Sequence, residues 1–145
     1  MTMPEGRILA IDYGEKRLGL AISDSRRIFS FPVETYSRRT LKEDILFLKE
    51  LIDLKNVVLL VLGNPLANRG EEGFMSKKVA LFKEELEREL SLPVETFDET
   101  CTTSDAEEVL REYGLKEKEM RGKKDALAAS FILKSYLESL GHDRD

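Results

Sequence analysis

The stretch that most constrains this fold is residues 57–62, Val57-Val58-Leu59-Leu60-Val61-Leu62, an unbroken apolar run bounded by Asn56 and Gly63. A run of this length is a strand covered on both faces. The segment before it has helical periodicity. A strand reached through a helix runs parallel to an earlier strand, because the crossover returns the chain to the same edge. The chain is therefore expected to build a layered α/β structure with helices on the faces of a sheet.

Three strands precede that run, expected at residues 7–12, 18–23 and 28–36. Short turns join them, so they read as an antiparallel meander. Pro32 marks the third as an edge strand or the site of a bulge. Thr40 and Glu43 have capping-box spacing, and Leu41, Ile45, Leu48, Leu51 and Ile52 recur at helical spacing after them. That helix is expected to end at Lys55-Asn56. A second helix is expected over residues 75–90, with Met75, Val79, Phe82, Leu86 and Leu90 on one stripe. A fifth strand follows at 94–97 and ends in Asp98-Glu99. Ser104 and Glu107 open a third helix that stops at Gly114. Residues 115–124 read as a charged loop, 125–140 as the last helix and 142–145 as a frayed tail. The order β-β-β-α-β-α-β-α-α, with five strands in a mixed sheet, fits a ribonuclease H-like fold.

The length of 145 residues suits one domain over residues 1–145. No stretch approaches the ~20 apolar residues of a membrane span. The first residues lack a basic region followed by an apolar segment, so no signal peptide is expected, and an intracellular protein is expected. The single Cys101 excludes an internal disulfide and a cysteine-built metal site. His142 is the only histidine, which argues against a histidine-based triad. Net charge is −5, against a simple coat for nucleic acid but compatible with an acidic metal site. Charged residues reach 35%, glutamine is absent and asparagine occurs three times, a bias shared with proteins of hot environments.

Acids stand at three informative places. Asp12 ends the first strand, Asp98 and Glu99 end the fifth, and Asp125 opens the last helix. Ligands of α/β sheets gather at the carboxyl ends of parallel strands. Each acid also has a plain structural reading: Asp12 and Asp98 as turn residues, Glu99 as a solvated surface acid, Asp125 as a first-turn acid favoured by the helix dipole. Taken jointly, clustered carboxylates repel one another, and a hard cation such as Mg²⁺ or Mn²⁺ relieves that repulsion through oxygen ligands. Gly14 is expected to turn the chain with a positive φ. Gly19, inside a strand, points to close approach of a neighbour or ligand.

Lys16 and Arg17 at the turn are placed to meet phosphates, or form a solvated hairpin tip. The doublets Arg26-Arg27, Arg38-Arg39 and Lys123-Lys124 flank a nucleic-acid path or are ordinary surface charge. Thr102 and Thr103 cap a helix or donate to a phosphate. Ala126, Ala128 and Ala129 allow the last helix to lie close to the sheet. Residues 63–70 lack the G-K-[S/T] ending of a Walker phosphate loop.

Four segments together resemble the YqgF family, also called RuvX, of ribonuclease H-like proteins. They are residues 11–24, which read IDYGEKRLGLAISD; Leu62-Gly63-Asn64-Pro65-Leu66 with Gly70; Asp98-Glu99-Thr100-Cys101-Thr102-Thr103; and Lys124-Asp125-Ala126-Leu127-Ala128-Ala129. They span nearly the whole chain in the family's order. The resemblance implies a bacterial cytoplasmic nuclease linked to maturation of the 5′ end of 16S ribosomal RNA. The family is also described as a candidate Holliday junction resolvase, because its fold is similar to RuvC. Carried over by position, Asp12 matches the first-strand catalytic acid, Glu99 the glutamate of the family's D-E-R motif, and Asp125 the acid opening the last helix. Thr100 stands where the motif has arginine, and Lys124 where relatives often have an apolar residue.

The leading expectation is a Mg²⁺- or Mn²⁺-dependent phosphodiesterase acting on precursor ribosomal RNA. Asp12, Glu99 and Asp125 hold metal in this reading, with Asp98 auxiliary. Lys16, Arg17, Asn64, the loop after Pro65, Thr102 and Thr103 contact nucleic acid. A resolvase of branched DNA is the close alternative and needs two sites, hence a homodimer. A non-catalytic RNA-binding factor in ribosome assembly is another, separated by whether the protein binds Mn²⁺. A sugar-kinase or actin-like ATPase needs two such domains, more than 145 residues supply.

Overall fold

The computed structural model describes residues 5–65, 72–99 and 123–142. Its elements are β1 (Arg7–Asp12), β2 (Arg17–Ser23), β3 (Ser30–Ser37), α1 (Leu41–Lys55), β4 (Val57–Pro65), α2 (Glu72–Glu89), β5 (Val94–Glu99) and α3 (Lys124–His142). The five strands form one sheet in the order β3-β2-β1-β4-β5. β1, β2 and β3 pair antiparallel, while β4 is parallel to β1 and β5 to β4. The apolar run at 57–62 thus lies where its pattern demands, between two parallel neighbours.

The period-two pleat sorts each strand between two cores. Leu9 and Ile11 of β1, with Leu60 and Leu62 of β4, pack beneath α1 and α2 against Leu48, Val79 and Leu86. Ile8 and Ala10, with Leu59 and Val61, face the other way onto Ala129, Ile132, Leu133 and Tyr136 of α3. Among the described residues, one helix therefore covers one face of the sheet and two helices cover the other. Alternation carries Asp12 onto the α3 face, and Tyr13 packs against the opposite core.

Local signals account for the element ends. Thr40 Oγ1 accepts from the Glu43 amide at 3.2 Å and donates to Glu43 Oε1 at 3.1 Å, which satisfies an orphan donor at the start of α1. Asn56 closes α1 in the left-handed region (φ 53°), its amide donating to the Ile52 carbonyl. β3 is an edge strand as Pro32 implied, with a register shift where Leu20 pairs with Glu34 and Ala21 with Pro32.

Several expectations need correction. β2 begins at Arg17 and β3 covers Ser30–Ser37, because the ladder follows cross-strand partners beyond the apolar positions. β4 runs through Gly63, Asn64 and Pro65, whose register with β5 extends the ladder. α2 starts at Glu72, earlier than its apolar stripe, and β5 extends to Glu99. Lys124 and His142 belong to α3 rather than to a loop and a tail. Leu41 is 39% exposed, since the first turn of α1 projects past the core.

Gly14 does not adopt positive φ; among the described glycines Gly6 does, at φ 150°. An added Cβ at Gly14 would instead overlap the Arg17 carbonyl oxygen, so a tight turn, not handedness, requires glycine there. The helix expected from Ser104 to Gly114 lies outside the described residues.

Candidate active site

One row of residues crosses the sheet at the carboxyl end of β1. In register order it reads Thr35 of β3, Gly19 of β2, Asp12 of β1, Gly63 of β4 and Phe97 of β5. Asp12 therefore stands between two glycines, with no side chain beside it on either neighbouring strand. That space admits the start of α3. A Cβ on Gly19 would overlap the Asp125 carbonyl oxygen and lie 3.1 Å from the Ala126 nitrogen. A Cβ on Gly63 would meet Ile132 Cδ1 at 2.5 Å. Thr35 Oγ1 accepts from the Ala126 amide at 3.3 Å, satisfying one of the helix's orphan donors. Ser30 Oγ donates to the Ser130 carbonyl at 2.8 Å, a second tie between β3 and α3.

The small residues of α3 do what their pattern suggested. Ala126, Ala128 and Ala129 are all buried, so the helix settles closely on the sheet and its first turn reaches the Asp12 end. Asp125 in that first turn is favoured by the helix dipole. Asp12 is half-buried, and burial pushes its carboxyl up, with the Asp125 charge adding to the effect, to about 7. A carboxylate so placed lacks enough water and donors to stabilise its charge, which is the condition a cation relieves.

Asp125 has a cationic partner. Arg17 Nε donates to Asp125 Oδ2 at 2.9 Å, with Arg17 50% and Asp125 18% exposed. Lys16 beside it is exposed, and its carbonyl accepts from the Arg38 amide at 2.9 Å. The Lys16-Arg17 tip thus lies next to the paired acids.

The remaining expected site residues divide as follows. Asn64 pairs in register with Asp98, and Pro65 with Glu99, at the same end of the sheet as Asp12. Thr102 and Thr103 lie outside the described residues. Among the described residues no group of three or more His, Cys, Asp or Glu side chains comes together, and the side chains of Asp98 and Glu99 are not among those described. Of the expected acids whose side chains are described, Asp12 and Asp125 come together.

Arg38 is not the surface charge its doublet suggested. It is 14% exposed, and its Nε donates to Asp44 Oδ2 at 2.9 Å. Asp44, fully buried, also accepts from the Tyr36 hydroxyl and the Arg39 amide, each at 2.9 Å. Arg38 Nη1 donates to the Gly14 carbonyl at 3.1 Å, and its guanidinium lies 5.2 Å from the Tyr13 ring and 5.1 Å from that of Phe82. This network braces the Tyr13-Gly14 turn immediately after Asp12 from the far face of the sheet. Sequence reasoning missed Asp44 and Thr35. An acid four residues after a helix cap looks solvated, and a threonine on an edge strand looks like propensity alone. Asp24 has a structural role: its Oδ1 accepts from the Ile28 and Phe29 amides at 2.8 and 2.9 Å, closing the turn between β2 and β3.

A family model described as "RuvX: Holliday junction resolvase" matches residues 6–139. A Syntrophus aciditrophicus protein named "Putative pre-16S rRNA nuclease" is 39% identical over 138 residues, covering 95% of this chain and 92% of that protein. Among solved structures, Thermus thermophilus RuvC in complex with Holliday junction substrate superposes with a TM-score of 0.54 at 16% identity, covering 92% of this chain and 94% of that one. Fowlpox virus resolvase in complex with Holliday junction DNA gives 0.56 at 17% identity, covering 92% and 98%. At such identities the structural likeness is one of fold, and that fold is ribonuclease H-like.

Proposed function

This chain belongs to the RuvX family of nucleases, and from that premise we propose that it hydrolyses phosphodiester bonds of structured nucleic acid with Mg²⁺ or Mn²⁺, processing the 5′ end of precursor 16S ribosomal RNA in the cytoplasm. The observation that carries the reading is the apposition of Asp12 and Asp125 at the carboxyl end of β1, with the Asp12 carboxyl pushed up to about 7 by burial and by that neighbour. Two carboxylates held together at such a cost suit a hard cation better than a purely structural role.

Glu99 completes the proposed ligand set. Phe97 packs with the α3 core and Glu95 accepts from the Tyr136 hydroxyl of α3. Position 99 has the same strand parity, which supports placing it on the Asp12 side of the sheet. Asp98, of opposite parity, keeps the auxiliary role. The donor set is all oxygen, as Mg²⁺ and Mn²⁺ prefer. Asp12, Glu99 and Asp125 would hold the divalent cation, which would supply activation of water and stabilisation of charge on the leaving oxygen. Lys16 and Arg17 position the backbone phosphates, with Asn64, Thr102 and Thr103 as further contacts. All of this is carried by a single domain, residues 1–145.

The test is Asp12→Asn on precursor RNA with Mg²⁺. Loss of one electrostatic element of an active site costs about 10²–10³-fold in kcat, and a loss at least that large is expected. Cleavage at the wild-type rate would sink the metal mechanism. The family description favours a second reading, hydrolysis of branched DNA, which with two strands to cut needs two sites and hence a homodimer. A four-way junction offered beside precursor RNA under the same conditions separates the two: faster cleavage of the junction, by a dimeric species, selects the resolvase.

A further inference from the structure

Asp125 is not free to meet a cation in the arrangement described. Its Oδ2 is taken by Arg17 Nε at 2.9 Å, a contact between the first residue of β2 and the first turn of α3, 108 positions apart in sequence. The pair is lopsided. Half of the Arg17 side chain is exposed, whereas Asp125 is mostly covered. Only Nε of the guanidinium is engaged, and its two Nη groups have no partner among the described residues. A one-point ion pair at the surface is weak. A phosphate diester presents two oxygens to the guanidinium fork and holds it more strongly.

We propose that Arg17 is a positioning residue that makes cation binding at Asp125 depend on the nucleic acid. Without substrate, Arg17 occupies Oδ2 and keeps the Asp125 carboxylate turned toward the start of β2. A backbone phosphate draws the guanidinium off, and Oδ2 becomes available to the cation beside Asp12. The inference rests on the reading of Asp12 and Asp125 as metal ligands. Its thermodynamic content is a positive coupling, so cation and nucleic acid must each tighten the other's binding by the same factor.

Titration of the full chain with Mn²⁺ by calorimetry tests this, with and without a short RNA hairpin kept cold and checked for integrity. Arg17→Met keeps the aliphatic stem, removes the donors and alters no core contact. The expected result is that R17M binds Mn²⁺ about fivefold tighter than wild type without RNA, within the usual range of coupling between sites. RNA then tightens Mn²⁺ binding less in R17M than in wild type, by that same factor. In an Asp125→Asn background the gain from R17M disappears. Equal or weaker Mn²⁺ binding by R17M overturns the proposal, as does a gain that persists in D125N, which would be a general charge effect. Failure of the underlying reading looks different: wild type then binds no Mn²⁺, or binds it as well after Asp12→Asn.

Discussion

At the residue scale the most informative group is Asp12. Its carboxyl is pushed from the ordinary 3.8 to about 7, first by burial and then by the Asp125 charge. The folded protein therefore holds this proton more tightly than the unfolded chain. That preference stabilises the fold fully below pH 4 and is lost as pH rises through 7. Above that, the metal-free protein carries an ill-solvated charge. Asp12→Asn removes the charge and keeps the shape. In chelator at pH 8 it is expected to raise stability by roughly 2–4 kcal/mol, since each tenfold change in proton affinity is worth about 1.4 kcal/mol. The difference should shrink toward zero by pH 4. Denaturant melts at the two pH values check this, and an unchanged midpoint at pH 8 would mean that Asp12 is comfortably solvated. One substitution that stabilises the empty protein while abolishing cleavage is the mark of a residue placed for chemistry.

At the scale of elements, the site exists because α3 comes to rest at one height on the sheet. Gly19 and Gly63 leave the floor on which it sits, and Thr35 and Ser30 hold it from the edge strand. Gly19→Ala drives a methyl group into the Asp125 carbonyl, so the start of α3 must lift. Overpacking of this kind costs about 1–3 kcal/mol. The displacement also separates Asp125 from Asp12. A lowered thermal midpoint together with loss of Mn²⁺ affinity is therefore expected. If G19A kept wild-type Mn²⁺ affinity, the height of α3 would not set the distance between the acids. The turn after Asp12 is held from the opposite face, where Arg38 links the buried Asp44 to the Gly14 carbonyl. The two sides of the sheet thus fix the two sides of the same carboxylate.

At the scale of the whole molecule, one α/β layer structure carries a concentrated local charge within a chain of net charge −5. A cation that binds the folded state alone stabilises it by mass action, by ~2.7 kcal/mol at one hundred times its dissociation constant. Mn²⁺ is accordingly expected to raise the thermal midpoint of wild type by several degrees at pH 8. Asp12→Asn should abolish that rise, and a chelator should reverse it. A melt indifferent to Mn²⁺ would instead favour an RNA-binding role on a nuclease fold. No helix among the described residues is long and apolar enough to cross a membrane.

Much of this arrangement is written locally. The apolar run at 57–62, the alternation in β1 and the cap at Thr40 are short-range patterns, and their elements formed near the expected places. Asp12 at a strand end, Gly19 as a point of close approach and the alanines of α3 were equally legible, because each is a rule about a residue and its near neighbours. Other features were decided only by the tertiary structure. Asp44 is buried because Tyr36, Arg38 and the Arg39 amide converge on it. Gly14 is needed for closeness to Arg17 rather than for handedness. Arg17 meets Asp125 across 108 positions, a pairing that no spacing rule encodes. Local pattern sets which face a residue takes. Which charges then come within reach of one another depends on how helix and sheet settle together.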